Sequence, residues 1–137
     1  MPASAWPPER PVLVATSYPA DALVLRAALE RVGLPMALVD NGVTAMHALC
    51  RQPGAFASVI VGDRVGRVSG LTLCGLARDA GCTLPILLLT VDDCASIATR
   101  AARLRVTVLW QPVSSRRLES ALRDLLPRRL CALSETR

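Results

Sequence analysis

Apolar runs and helical periodicities take turns along this chain. PVLVAT, residues 11–16, is apolar and rich in β-branched residues, which suits a strand covered on both faces. In ADALVLRAALERVG, which follows, Leu23, Leu25, Ala28, Leu29 and Val32 fall at helical spacing, and Gly33 suits the left-handed position past a helix end. PMALVD predicts a short second strand, GVTAMHALCRQ a second helix ending before Pro53-Gly54, and ASVIVG a third strand. LTLCGLARDAG predicts a third helix closed by Gly81, and LPILLLT the most apolar strand. DDCASIATRAARL predicts a fourth helix, with Asp92 or Asp93 near its positive N-terminal end. VTVLWQ predicts a fifth strand, and SSRRLESALRDLL a fifth helix with a serine cap and Glu119 in its early turns.

Strand–helix repetition with short connections predicts an α/β fold, a doubly wound parallel sheet with right-handed crossovers. No strand run alternates apolar with polar residues, so the sheet is expected to be covered on both faces. Sheets of this kind carry functional residues at the carboxyl ends of their strands. Those ends hold Thr16, Ser17 and Tyr18; Gly62 and Asp63; Thr90, Val91, Asp92 and Asp93; and Gln111 and Pro112.

Composition narrows the picture. A chain of 137 residues is one domain by length. Residues 1–10, MPASAWPPER, read as a Pro-rich disordered leader, residues 11–126 as the domain and residues 127–137 as a basic tail too short for an output domain. No apolar run approaches the roughly 18 residues of a membrane helix, and the N-terminus lacks a signal-peptide pattern, so a cytoplasmic protein is expected. Four aromatic residues leave the core to Leu, Val, Ile and Ala. The five cysteines form no CxxC pair and read as reduced, structural thiols.

All sixteen basic residues are arginine, and they are unevenly spread. Residues 1–99 carry seven Arg against eight acids, whereas residues 100–137 carry nine against three. Arg100, Arg103, Arg105, Arg116, Arg117, Arg123, Arg128 and Arg129 thus concentrate on the fourth helix, fifth strand, fifth helix and tail. No helix-turn-helix or aromatic-interleaved basic patch accompanies them, which disfavours nucleic acid as the partner. The loop VGDRVGRVSG lacks the phosphate-loop and dinucleotide patterns. His47, the single histidine, has no ligand-type partner at helical spacing and reads as structural.

The set of strand ends in a five-unit βα chain resembles the receiver domain of bacterial two-component response regulators, over about residues 11–126. The resemblance implies a flavodoxin-like fold with strand order 2-1-3-4-5. It also implies an acidic Mg²⁺-binding pair after the first strand, a phosphoacceptor Asp after the third, a Thr or Ser after the fourth and a Lys-Pro after the fifth. SGL at Ser69 to Leu71 is similar to the family's Asp-Gly-Leu, and counting eight back from Gly70 puts the phosphoacceptor position on Gly62. Thr16 and Ser17 fall on the acidic pair, Thr90 on the Thr, Gln111-Pro112 on Lys-Pro with a cis bond implied, and Val108 on the aromatic switch position.

The chemistry of that family needs a carboxylate nucleophile, oxygen ligands that neutralise a divalent ion, and a cation beside the phosphoryl group. Gly62, the Thr16/Ser17 pair and Gln111 supply none of them. The expectation is therefore an atypical receiver domain, not an enzyme, with no cofactor and no metal. It would act in signal transduction by protein–protein recognition with a histidine kinase, another receiver or an effector. Its partner face would include Val108, Trp110 and the arginines of the fourth helix, fifth strand and fifth helix, which could also join two copies as a homodimer. Asp63, next to Gly62, is the alternative phosphoacceptor if its geometry is shifted; otherwise it is a solvated loop acid near Arg64 or Arg67. A third possibility is a small-molecule or nucleotide sensor using the emptied cleft.

Overall fold

The computed structural model describes residues 10–92 and 94–125. Most of the expected leader, the expected tail with Arg128 and Arg129, and Asp93 lie outside the described residues.

The chain runs β1 (Val12–Ala15), α1 (Pro19–Val32), β2 (Met36–Val39), α2 (Gly42–Arg51), a 3₁₀ turn (Pro53–Ala55) and β3 (Ser58–Val61). It continues with β4 (Arg64–Val65), β5 (Val68–Ser69), α3 (Gly70–Asp79), β6 (Ile86–Thr90), α4 (Ala95–Arg103), β7 (Val106–Trp110) and α5 (Ser115–Leu125). The main sheet is parallel with order β2-β1-β3-β6-β7. Counting its five strands alone, this is the expected 2-1-3-4-5.

Side chains alternate across the sheet and divide the core in two. Val12, Val14, Ile60, Leu87, Leu89 and Leu109 meet α1 and α5, whereas Leu13, Val59, Val61, Ile86, Leu88 and Val106 meet α2, α3 and α4. The central strands β1, β3 and β6 are wholly buried. The edge strands differ from expectation: β2 and β7 are only partly covered, and Thr107 and Trp110 are exposed. Leu29, Leu118 and Leu122 fill the α1–α5 layer, which Arg31 and Glu119 clamp at its surface through a 2.5 Å ion pair.

Caps fall where the sequence allows. Gly33, at φ 82°, ends α1, and Gly81, at φ 94°, follows α3. The side chains of Asn41, Ser69 and Ser114 accept backbone N–H groups of the first turns of α2, α3 and α5. The fourth helix starts later than expected: Asp92 precedes it, Cys94 occupies the N-cap position, and Ala101 is its one fully buried residue. The loop VGDRVGRVSG holds a small antiparallel hairpin, β4–β5, which the sequence did not announce.

Arg78 closes the opposite end of the molecule. Its guanidinium donates to the carbonyls of Leu104 (2.7 Å), Cys82 (2.8 Å), Leu84 (2.8 Å) and Arg105 (3.0 Å). It thereby ties the end of α3 to two loops, one of which holds Arg105 at φ 57°. Charged donors strengthen such bonds, so Arg78→Ala is expected to lower unfolding free energy by about 3 kcal/mol in urea titrations. Arg78→Lys, which lacks the planar fork, is expected to recover only part of that loss.

Candidate functional site

The carboxyl ends of β1, β3, β6 and β7 meet at one edge, with the first turn of α1 and the β4–β5 hairpin beside them. Register places Ala15 against Val61, so Thr16 and Gly62 follow as neighbours, and Gly62 N–H donates to the Ala15 carbonyl at 2.9 Å.

Gly62 is buried and hemmed in. A Cβ there would sit 2.7 Å from Thr16 Oγ1 and 3.1 Å from Thr16 Cβ. Thr16 is itself 3 % exposed, and its hydroxyl accepts the Tyr18 N–H at 3.1 Å. The space a side chain at position 62 would enter is thus held by a threonine fixed to its own backbone. On the other side, a Cβ on Gly70 would overlap the Gly62 carbonyl, so α3 begins in direct contact with the end of β3.

Ser17 is also committed. Its hydroxyl accepts the Gly66 N–H and donates to the Asp40 carbonyl at 3.3 Å, while its own N–H donates to the Arg64 carbonyl at 2.8 Å. It therefore seats the hairpin across the end of β1.

Asp63 turns toward β6. Its carboxylate accepts the Val91 N–H at 2.9 Å, and its carbonyl accepts the Gly70 N–H at 2.8 Å. The expected approach to Arg64 or Arg67 is not made: among the described residues, the ion pair formed is Arg31–Glu119. Thr90 is 1 % exposed, and its hydroxyl accepts the Asp92 N–H at 3.0 Å. Asp92 does not cap α4; its carboxylate accepts the Cys94 N–H at 3.0 Å in the loop before the helix. The Asp92 carbonyl accepts the indole N–H of Trp110 at 3.0 Å. Trp110 is therefore not a core residue: its indole N–H latches the β6–α4 loop while the ring is partly exposed.

Gln111 precedes a cis peptide bond to Pro112. Its amide donates to the Asp21 carboxylate at 3.2 Å. The other Asp21 oxygen lies 3.5 Å from where a Cβ on Gly62 would be. Sequence reasoning missed Asp21. It sits in the first turn of α1, an ordinary place for a helix-stabilising acid. The signal that could have found it is that this turn opens on the same edge as the strand ends.

Arg100 and Arg103 on α4, Arg105 in the loop before β7, and Arg116, Arg117 and Arg123 on α5 are all exposed. Val108 is half-buried against the α2–α3–α4 side of the core. The cysteines divide differently from expectation. Cys74 is a core thiol, pushed up to about 12 by burial, but Cys50 and Cys94 are exposed and Cys82 is half-buried. A hydrogen bond shared with the Ser96 hydroxyl at 3.1 Å holds the Cys94 thiol below its ordinary value.

No protein-family model matches the sequence, and no curated protein sequence matches it. Solved structures do match. A response regulator receiver domain protein from Clostridium thermocellum superposes with a TM-score of 0.76 at 15 % identity, covering 90 % of this chain and 98 % of that one. The receiver domain of a modulated diguanylate cyclase from Desulfovibrio desulfuricans gives 0.70 at 25 % identity, covering 85 % and 93 %. The receiver domain of a sensor histidine kinase from Pseudomonas aeruginosa gives 0.72 at 19 % identity, covering 85 % and 97 %. The chain has the flavodoxin-like receiver fold.

That last structure holds a magnesium ion in its active-site cleft. The residues here do not fit one. Magnesium is held by carboxylates and waters in strict octahedral geometry. At this edge the Thr16 and Ser17 hydroxyls are committed to backbone groups, Gly62 offers no side chain, and the Asp21 carboxylate is bound to Gln111. Among the described residues no group of three or more His, Cys, Asp or Glu side chains is arranged to hold a metal.

Two outcomes follow from this geometry. Gly62→Ala should cost about 1–3 kcal/mol by overpacking against Thr16. In a Thr16→Ala background the same change should cost clearly less, so a double-mutant cycle by chemical denaturation should show coupling. Trp110→Phe keeps the ring but removes the indole N–H; hydrogen exchange at the Asp92 and Cys94 amides should then accelerate several-fold, with exchange in β3 unchanged.

Proposed function

We propose that this chain is an atypical receiver module that signals by protein–protein recognition and takes no phosphoryl group. One observation carries the reading: the Thr16 hydroxyl stands where a side chain on residue 62 would have to enter. The neighbouring positions support it. Ser17 is spent on the hairpin, and Gln111 meets Asp21 as a neutral amide, with no lysine anywhere in the chain.

The partner is a protein: a histidine kinase, another receiver or an effector. It docks on the α4–β7–α5 face, where six exposed arginines favour an acidic surface and Trp110 offers a partly exposed ring. The same face serves a homodimer if two copies associate. The working unit is residues 11–126, cytoplasmic and without catalytic turnover. No described helix is long and apolar enough to cross a membrane. Partner binding acts by shifting the population of conformers rather than by covalent modification.

Asp63 defines the competing reading, because its carboxylate reaches the β6 side of the same edge. Among the described residues it forms no ion pair with a cation that could stabilise a transferred phosphoryl group. Incubation of the full chain with acetyl phosphate and Mg²⁺, followed by intact-mass spectrometry, separates the two. The expected spectrum is unmodified protein, identical for wild type and Asp63→Asn. An adduct on wild type that Asp63→Asn abolishes would establish Asp63 as a shifted phosphoacceptor and overturn the proposal. The emptied cleft as a nucleotide or small-molecule sensor is a separate reading, checked by thermal shift with nucleotides: a ligand that binds only the folded state must raise Tm.

A further inference from the structure

The β3–β6 ladder stops before β6 does. β3 pairs with β6 as far as Val61 and Leu88, whereas β6 runs on to Thr90 beside Trp110 of β7. Past the last backbone pair, the Asp63 side chain takes over: its carboxylate accepts the Val91 N–H at 2.9 Å, one residue beyond the end of β6. Val91 is 70 % exposed, so packing does little to hold it. Asp92 follows directly, with its N–H on the Thr90 hydroxyl and its carbonyl on the Trp110 indole. Asp63 therefore grips the first residue of the loop that leads into α4.

Its backbone belongs to the other side. The Asp63 carbonyl accepts the Gly70 N–H at 2.8 Å, and Arg64, next in sequence, begins β4. Ser17 seats the same hairpin, with its N–H on the Arg64 carbonyl and its hydroxyl on the Gly66 N–H. Among the described residues, the Asp63–Val91 hydrogen bond is the one that joins this hairpin to the loop before α4. A carboxylate acceptor makes it a charge-assisted bond, stronger than its neutral neighbours.

We infer that Asp63 is a coupling strut, through which the β4–β5 hairpin and the loop that latches α4 are ordered or released together. The carboxylate is aimed at Val91 only while the Asp63 backbone is fixed by the hairpin closure, so freedom in one segment becomes freedom in the other. Both segments can be reached from outside: Arg64 and Arg67 are exposed on the hairpin, and the Trp110 ring is partly exposed beside the loop. Coupling is reciprocal, so partners bound at the two segments change each other's affinity by the same factor. Asp63 thus has a positioning role that needs no phosphoryl group.

Residue-resolved hydrogen exchange on the full chain tests the strut. Ser17 bonds to Asp40, Arg64 and Gly66 and to nothing in the loop before α4. Ser17→Ala should accelerate exchange at Gly66 by about two- to tenfold, the size of one neutral hydrogen bond. Exchange at Val91 should rise with it, by about twofold or more, because local openings are shared within a cooperative unit. In an Asp63→Ala background, Ser17→Ala should still free Gly66 but leave Val91 at the rate that background already has. Asp63→Asn keeps an oxygen that can accept the Val91 N–H and should transmit the effect as wild type does. A wild-type rate at Val91 in Ser17→Ala would overturn the inference, and that measurement decides alone if Asp63→Ala does not fold. Acceleration at Val91 that persists without the Asp63 carboxylate, or its loss in Asp63→Asn, would overturn it as well.

Discussion

The end of β3 is compressed between two neighbours, and the rest of the functional edge depends on that compression. Gly62 has the Thr16 hydroxyl on one side and Gly70, at the first turn of α3, on the other. Neither glycine tolerates a Cβ without displacing backbone or a tightly held side chain. Because α3 starts this close, Gly70 N–H can meet the Asp63 carbonyl and close the hairpin between them. Because the hairpin is closed, Ser17 can receive Gly66 and join the end of β1 to it. The edge is a chain of backbone contacts whose central link is a missing side chain.

An arrangement of this kind has an electrostatic consequence. Carboxylates gathered at one point repel one another and stay charged together only with a cation between them. Here the hydroxyls and the amide are satisfied locally, and the two nearby carboxylates are held apart: Asp21 on Gln111, Asp63 on the Val91 N–H. No buried side-chain polar atom among the described residues lacks a partner. The polar groups of this edge are thus bonded to one another and to the backbone.

How much of this was legible depended on how local the cause was. The five βα units could be read because each strand is a short apolar run and each helix repeats at its own period. Gly62 could be put at a strand end because the apolar run before it reads as a strand. Asp21 could not, because an acid in a first helical turn has an adequate local explanation and its partner, Gln111, lies ninety residues away. Arg78 was invisible for a related reason: its four acceptors are backbone carbonyls, which carry no residue signature. The hairpin was missed because two-residue strands are too short to show alternation.

If recognition replaces chemistry, some element must still have two arrangements for a partner to choose between, and α4 is the one least held. It buries only Ala101 fully, and the loop before it is fastened through Asp92: the Thr90 hydroxyl takes its N–H, and its carbonyl takes the Trp110 indole. Neutral hydrogen bonds contribute about 0.5–1.5 kcal/mol each, so releasing both costs about 1–3 kcal/mol. A ligand shifts an equilibrium only by its differential affinity for the two states. At tenfold per 1.4 kcal/mol, a partner that binds the released arrangement about five- to 150-fold more tightly would balance that cost. A few well-placed contacts supply as much. The free energy needed to release this latch is thus small enough for a protein interface to provide.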